Sequence, residues 1–228
     1  MSFIIDEKKD IDPHGFTDVY IALIPQSVGK RTLVPLTREQ ELDGIKCERL
    51  RREKYYAWRL LEYAAEHSLG IDMDKLSPSK DKSGRWNSLI CDFSISHTSD
   101  AVAVAISSHR VGVDIEELKT PRHPRFADRT LTERELAVYR ALEGTEREEY
   151  LIRAWCGKEA VFKSLCEDAF IPSSIDTEAT DISHKETIAN NTIMSDCLAI
   201  SSKKYVLSVF YDKDHKPRMF ADVDLSED

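Results

Sequence analysis

The sequence predicts an α+β fold. It contains short apolar runs of strand length and two long helical stretches, each opened by a capping-box pattern. Its 228 residues suffice for one large domain or two packed halves of about 110 each.

Taken in order, Phe3-Ile4-Ile5 and the run Val19 to Ile24 read as strands, the second stopped by Pro25. Thr37 with Gln40 forms a capping-box pattern, and Gly70 is the matching stop. Between them lies one long helix, or two broken near Gly44, with Leu50, Leu60, Leu61 and Ala64 toward the core and Arg49, Arg52 and Arg59 at its edges. Residues 76–88, rich in Ser, Lys, Pro and Gly, read as a loop. "AVAVAIS" and "VGVDIEEL", separated by a short polar turn, read as a hairpin in mid-chain. A second capping box, Thr132 with Glu135, opens a helical region that breaks near Gly144 and runs to Leu165. The tail holds one clear strand, 205–211.

Composition narrows the function classes. Hydrophobic residues make up 41% and charged residues 32%, as in a soluble globular protein. The start of the chain turns charged after five residues, and the longest apolar run, Ala101 to Ile106, is far too short for a bilayer, so neither a leader nor an anchor is expected. Five cysteines (47, 91, 156, 166 and 197) without a CxxC pair suggest reduced thiols in the cytoplasm. A net charge of −9 argues against nucleic acid as a partner. Charge is unevenly spread: residues 30–59 hold nine Lys/Arg against five Asp/Glu, while 176–228 hold six against eleven. The basic segment suits a phosphate-bearing ligand or an acidic partner, or is a solvated helix face.

Two stretches can carry chemistry. In "GVDIEEL" a period of two puts Val111, Val113 and Ile115 on one face and Asp114 and Glu116 on the other. Two carboxylates on one face suit a hard divalent cation with phosphate and water as its other ligands, or make a wet acidic strand face. In "WCGKEAVFK", Trp155, Glu159 and Phe162 share a helix face. A carboxylate among large apolar groups needs a positive partner, or else simply pairs with Lys163 one turn on.

Read together, in this order and about forty residues apart, the two stretches resemble the paired signature of the 4′-phosphopantetheinyl transferases. Gly112, Asp114 and Glu116 match the G-[VI]-D-[IV]-E strand; Trp155, Lys158, Glu159 and Lys163 match the W-x-x-K-E-[AS]-x-x-K helix. Spacing and length are similar to the larger, monomeric, surfactin-synthetase-activating type. "FSISHT" resembles the family element whose Ser and His contact coenzyme A phosphates, which carries that role to Ser96, His97 and Thr98. "SGRW" stands where the family has Gly-Lys-Pro, so Gly84 and Arg85 would line the nucleotide end, with Trp86 in place of Pro. Lys46 and Arg59 fall near the family's phosphate-contacting basic residues.

The resemblance implies two similar α/β halves in a pseudo-twofold relation, each a small antiparallel sheet packed on helices. The first, 1–111, would be the nucleotide and phosphate side. The second, 112–228, would hold the metal ligands and the docking region. It further implies magnesium, or manganese in its place, on Asp114, Glu116 and Glu159. Lys163 would bind a coenzyme A phosphate, and Lys158 would support that phosphate region or the carboxylates. Trp155 and Phe162 would anchor the helix in the core.

The implied reaction moves 4′-phosphopantetheine from coenzyme A to a serine of an acyl or peptidyl carrier protein and releases 3′,5′-ADP. Glu159 is the base expected there, with His97 as its competitor. Arg122, Arg125 and Arg129, interleaved with Phe126 and Leu131, would form the carrier-binding surface, or an ordinary loop leading into a helix. Two alternatives stay open: a magnesium-dependent phosphohydrolase acting on a small nucleotide, and a non-catalytic module that binds coenzyme A or a carrier.

Overall fold

The computed structural model describes residues 15–29, 32–33, 35–82, 84–119, 125–165, 169–177, 190–200 and 202–226. The strand expected at residues 3–5 lies outside them. Strand β1 (Thr17–Leu23) is followed by helices α1 (Leu36–Asp43), α2 (Glu48–Leu69) and the single turn α3 (Met73–Leu76). A ribbon of β2 (Ser79–Lys80) and β3 (Trp86–Asn87) interrupts the loop before β4 (Asp92–His97) and β5 (Ala101–Ser107). Then come β6 (Gly112–Glu117), α4 (Phe126–Thr130), α5 (Glu133–Ala141), α6 (Gly144–Leu165), β7 (Asn191–Ile200), β8 (Lys203–Asp212) and β9 (Arg218–Val223).

The strands form two main sheets, ordered β4-β5-β1-β9 and β6-β8-β7. Among the described residues only the β1–β9 pairing is parallel. The apolar runs of β1 and β5 are continuous because both their faces are covered. Tyr20, Ala22, Val102, Val104 and Ile106 face α2, while Val19, Ile21 and Ala101, Ala103 and Ala105 belong to a second core shared with Val113, Ile115, Leu207 and Val209 of the other sheet. Beyond that sheet, Val206 and Phe210 meet α6 through Cys156, Ala160 and Val161. The layers are therefore α2, first sheet, second sheet and α6, an α+β arrangement. The two sheets also share one connectivity. In each, a first strand (β1 or β6) leads through helices to a hairpin (β4–β5 or β7–β8) whose second strand pairs with the first.

Several local expectations need correction. Helix α1 starts after Pro35 with no side-chain cap, so Thr37 lies inside it, although the break before α2 falls where Gly44 predicts. Gly70 does end α2, in the left-handed conformation (φ 66°) that a Cβ would oppose. The capping box of Thr132 and Glu135 is present on α5. The mid-chain hairpin is β4–β5, one strand earlier than its pattern suggests. β6 instead pairs with β8, because the turn after β5 carries the chain from one sheet to the other.

The tail contributes three strands rather than one. The last of them crosses any boundary at residue 111: β9 lies beside β1 in the first sheet, fastened by Arg218, which donates to both oxygens of the buried Asp18 at 2.6 and 2.8 Å.

Candidate active site at the seam between the sheets

Strands β4 and β6 are edges of different sheets, and side chains join them where a ladder would otherwise run. Alternate residues of β4 do this. Asp92 Oδ2 accepts from the Val111 amide at 2.9 Å, Ser94 Oγ accepts from the Val113 amide at 3.0 Å, and Ser96 Oγ donates to Asp114 Oδ1 at 2.6 Å. The period of two expected for β6 holds: Val113 and Ile115 go to the inter-sheet core, while Asp114 and Glu116 face α6.

Gly112 sets how closely α6 approaches. A Cβ there would stand 1.9 Å from the Ala160 carbonyl oxygen, a backbone atom that cannot turn aside. This contact lays α6 directly on β6 and brings its half-buried face to the carboxylates. Lys163 Nζ donates to Asp114 Oδ1 at 2.6 Å and to Ser96 Oγ at 2.9 Å. Trp155 Nε1 donates to Glu116 Oε1 at 3.0 Å. The shared face of Trp155, Glu159 and Phe162 is thus real, but it turns to the site and not to the core. The core face of α6 is Cys156, Ala160, Val161 and Ser164, and Trp155 and Phe162 are only half-buried. They pack instead in an aromatic group with Phe126 and Phe170.

Electrostatics mark the cluster. Burial first, then the charges of Asp114 and Glu116, push the Glu159 carboxyl up to about 7 despite Lys163. Burial and the Asp114 charge also raise Glu116, against the Trp155 donor. Burial opposes the charge on Lys163, but Asp114 and Glu159 outweigh it and hold the ammonium above its ordinary range. Asp114 Oδ2 is buried and has no hydrogen-bond partner among the described residues.

Among the described residues no group of three His, Cys, Asp or Glu side chains forms a ready-made metal cage. Even so, three mutually repelling carboxylates with one unclaimed buried oxygen fit a hard, oxygen-preferring cation.

The metal-free cluster should make stability depend on pH. Glu159 holds its proton more tightly folded (about 7) than at its ordinary 4.5, so that contribution is complete below about 4.5 and is lost as pH rises through about 7. Thermal melts in a chelator should show the midpoint falling between about pH 5 and 8, and magnesium should flatten that fall.

A basic region adjoins the carboxylates. Burial pulls His97 below its ordinary pKa; Glu53, whose Oε2 lies 3.6 Å from Nδ1, opposes this, while Lys163, Lys54 and Arg38 add to it. Arg38, buried, lies 5.0 Å from the Trp58 ring and 5.8 Å from the Trp86 ring. Lys54 and Arg38 belong to the basic segment 30–59 but to no motif, so only the local charge excess pointed to them.

Other expected residues stand elsewhere. Lys46 is exposed just before α2, and Arg59 is buried and paired with Glu62. Thr98 closes the β4–β5 turn by accepting from the Ala101 amide at 3.0 Å. Gly84 is exposed beside β3, whereas Arg85 binds both oxygens of Asp92 at 2.9 Å and donates to Ser164 O at 3.0 Å, bracing β4 against the end of α6. Lys158 points away from the carboxylates to Glu135. Arg125 and Arg129 are exposed, Leu131 is buried, and Arg122 lies outside the described residues.

The carboxylate cluster, its lysine and the flanking basic region thus meet at the seam between the sheets. Compared with known proteins, residues 110–214 match the model of the 4′-phosphopantetheinyl transferase superfamily. It is similar to the holo-[acyl-carrier-protein] synthases of Streptococcus pyogenes serotypes M12 (strain MGAS2096), M28 (strain MGAS6180) and M5 (strain Manfredo). Each is 39% identical over 59 residues, which cover 24% of this chain and 50% of the relative. The chain thus spans about half the length of the curated relatives it matches. No helix among the described residues is long and apolar enough to cross a membrane.

Proposed function

We propose that this chain transfers the 4′-phosphopantetheine of coenzyme A to a serine of an acyl or peptidyl carrier protein and releases 3′,5′-ADP. The observation that carries this is the convergence of Asp114, Glu116, Glu159 and Lys163 at the β4–β6–α6 seam, inside the segment that matches the superfamily. The serine oxygen forms a bond to the β-phosphorus as the bond from that phosphorus to the bridging oxygen breaks, and the bridging oxygen leaves with 3′,5′-ADP. Glu159 accepts the serine proton. Asp114, Glu116 and Glu159 would hold magnesium, or manganese, which supplies charge neutralisation at the diphosphate. Lys163 turns from Asp114 to a phosphate oxygen, and Lys54, Arg38 and His97 extend the phosphate-binding side.

The shared connectivity of the two sheets supports two pseudo-twofold halves of the surfactin-synthetase-activating type. Ser96 comes from one and Asp114 from the other, so a monomer supplies the seam itself. Free thiols at Cys47, Cys91, Cys156 and Cys197 fit a cytoplasmic setting. Arg125 and Arg129 beside Phe126 would meet the acidic carrier.

Chromatography of coenzyme A with and without an apo carrier protein tests the reading: 3′,5′-ADP should form only when the carrier is present. Release without a carrier would instead establish the phosphohydrolase. Lys163→Ala should raise KM for coenzyme A by about tenfold or more, the worth of one charge-assisted hydrogen bond. An unchanged KM would remove Lys163 from the phosphate site.

A further inference from the structure

Lys158 directly precedes Glu159, yet its side chain is fully buried and turned to Glu135. It donates to Glu135 Oε2 at 2.5 Å, to Ile175 O at 2.6 Å and to Pro172 O at 3.1 Å. Glu135 is equally buried. Its Oε1 accepts from the Thr177 amide at 2.9 Å and the Thr177 hydroxyl at 2.7 Å, and its Oε2 also takes the Thr132 amide at 2.8 Å. One ion pair thus ties α5, α6 and segment 169–177 together. Apolar side chains of similar size commonly hold helices together as well as a buried pair does. What this pair adds is a fixed place for the backbone of residues 172 to 177.

That segment carries Phe170. Its ring lies 4.7 Å from Phe162 and 5.5 Å from Trp155, while Phe126 flanks Trp155 at 5.1 Å. Trp155 in turn holds Glu116 through its indole N–H.

We propose that Lys158 is a positioning residue for Glu116: with Glu135 it fixes segment 169–177, which seats Phe170 against Trp155 and aims the indole N–H at the carboxylate. Lys158 then makes no contact with coenzyme A. This rests on the reading of Glu116 as a metal ligand, whose affinity such an outer partner tunes.

Two full-length variants test it. Phe170→Ala removes the ring and leaves the ion pair intact, while Lys158→Met with Glu135→Leu removes both charges so that neither is stranded. Three quantities are read: the Trp155 indole N–H resonance, assigned with Trp155→Phe; Mn2+ affinity by calorimetry; and KM for coenzyme A. Both variants should shift the resonance, weaken Mn2+ binding by about tenfold and leave KM within about twofold. A tenfold higher KM with unchanged Mn2+ affinity would make Lys158 a phosphate ligand and overturn the proposal. So would an unmoved resonance in Phe170→Ala. If the unaltered protein binds no Mn2+, the metal reading falls, and the resonance alone decides whether Lys158 positions Trp155.

Discussion

Asp114→Asn should lower turnover by at least about a thousandfold, because losing the charge at the centre of the cluster removes several kcal/mol of transition-state stabilisation. The side chain is nearly buried, accepts from both Ser96 and Lys163, and offers a second, unclaimed oxygen. Asn has the same shape and can still accept from Ser96, so the fold should survive. The weakened bond from Lys163 should cost about 1–3 kcal/mol, and Lys163, being half-buried, can turn toward water. Circular dichroism should therefore match that of the unaltered protein, with a melting midpoint about 2–12 °C lower, while activity is lost. Turnover near normal would remove Asp114 from the metal site.

Gly112→Ala should have the largest effect on stability of any single methyl addition near the site. The new Cβ would meet the Ala160 carbonyl at 1.9 Å, so β6 and α6 must separate. Overpacking against backbone should cost about 3 kcal/mol or more, which corresponds to a melting midpoint about 6–12 °C lower for a chain of this size. Separation would also carry Glu159 and Lys163 away from Asp114, so activity should fall in the fraction that stays folded. A normal midpoint with normal activity would show that the helix does not depend on this contact.

The site was more legible in the sequence than its surroundings. The period of two in β6 and the helical spacing of α6 are local properties, so they place Asp114, Glu116, Glu159 and Lys163 correctly on their own elements. Which side of α6 faces the core is not local. Trp155 and Phe162 look like core residues, but the inner face is Cys156, Ala160, Val161 and Ser164, with the small Ala160 and Ser164 where Gly112 approaches most closely.

Strand partners were equally hidden. β5 and β6 adjoin in sequence and look like a hairpin, yet β5 pairs with β4 before it and with distant β1, and β6 pairs with β8 far along the chain. β9 was missed because its mostly exposed side chains carry little pattern. Lys158 shows the limit of a motif: the resemblance makes it a candidate for the phosphate region or the carboxylates, whereas its partners, Glu135 and two loop carbonyls, are distant in sequence.

Intact mass of an apo carrier protein, taken after incubation with this protein, coenzyme A and magnesium, bears most directly on the central claim. Transfer predicts a gain of about 340 Da, one phosphopantetheinyl group, that disappears in a chelator and with Asp114→Asn. An unchanged mass across acyl and peptidyl carriers, with the protein folded and coenzyme A and magnesium bound, would contradict it.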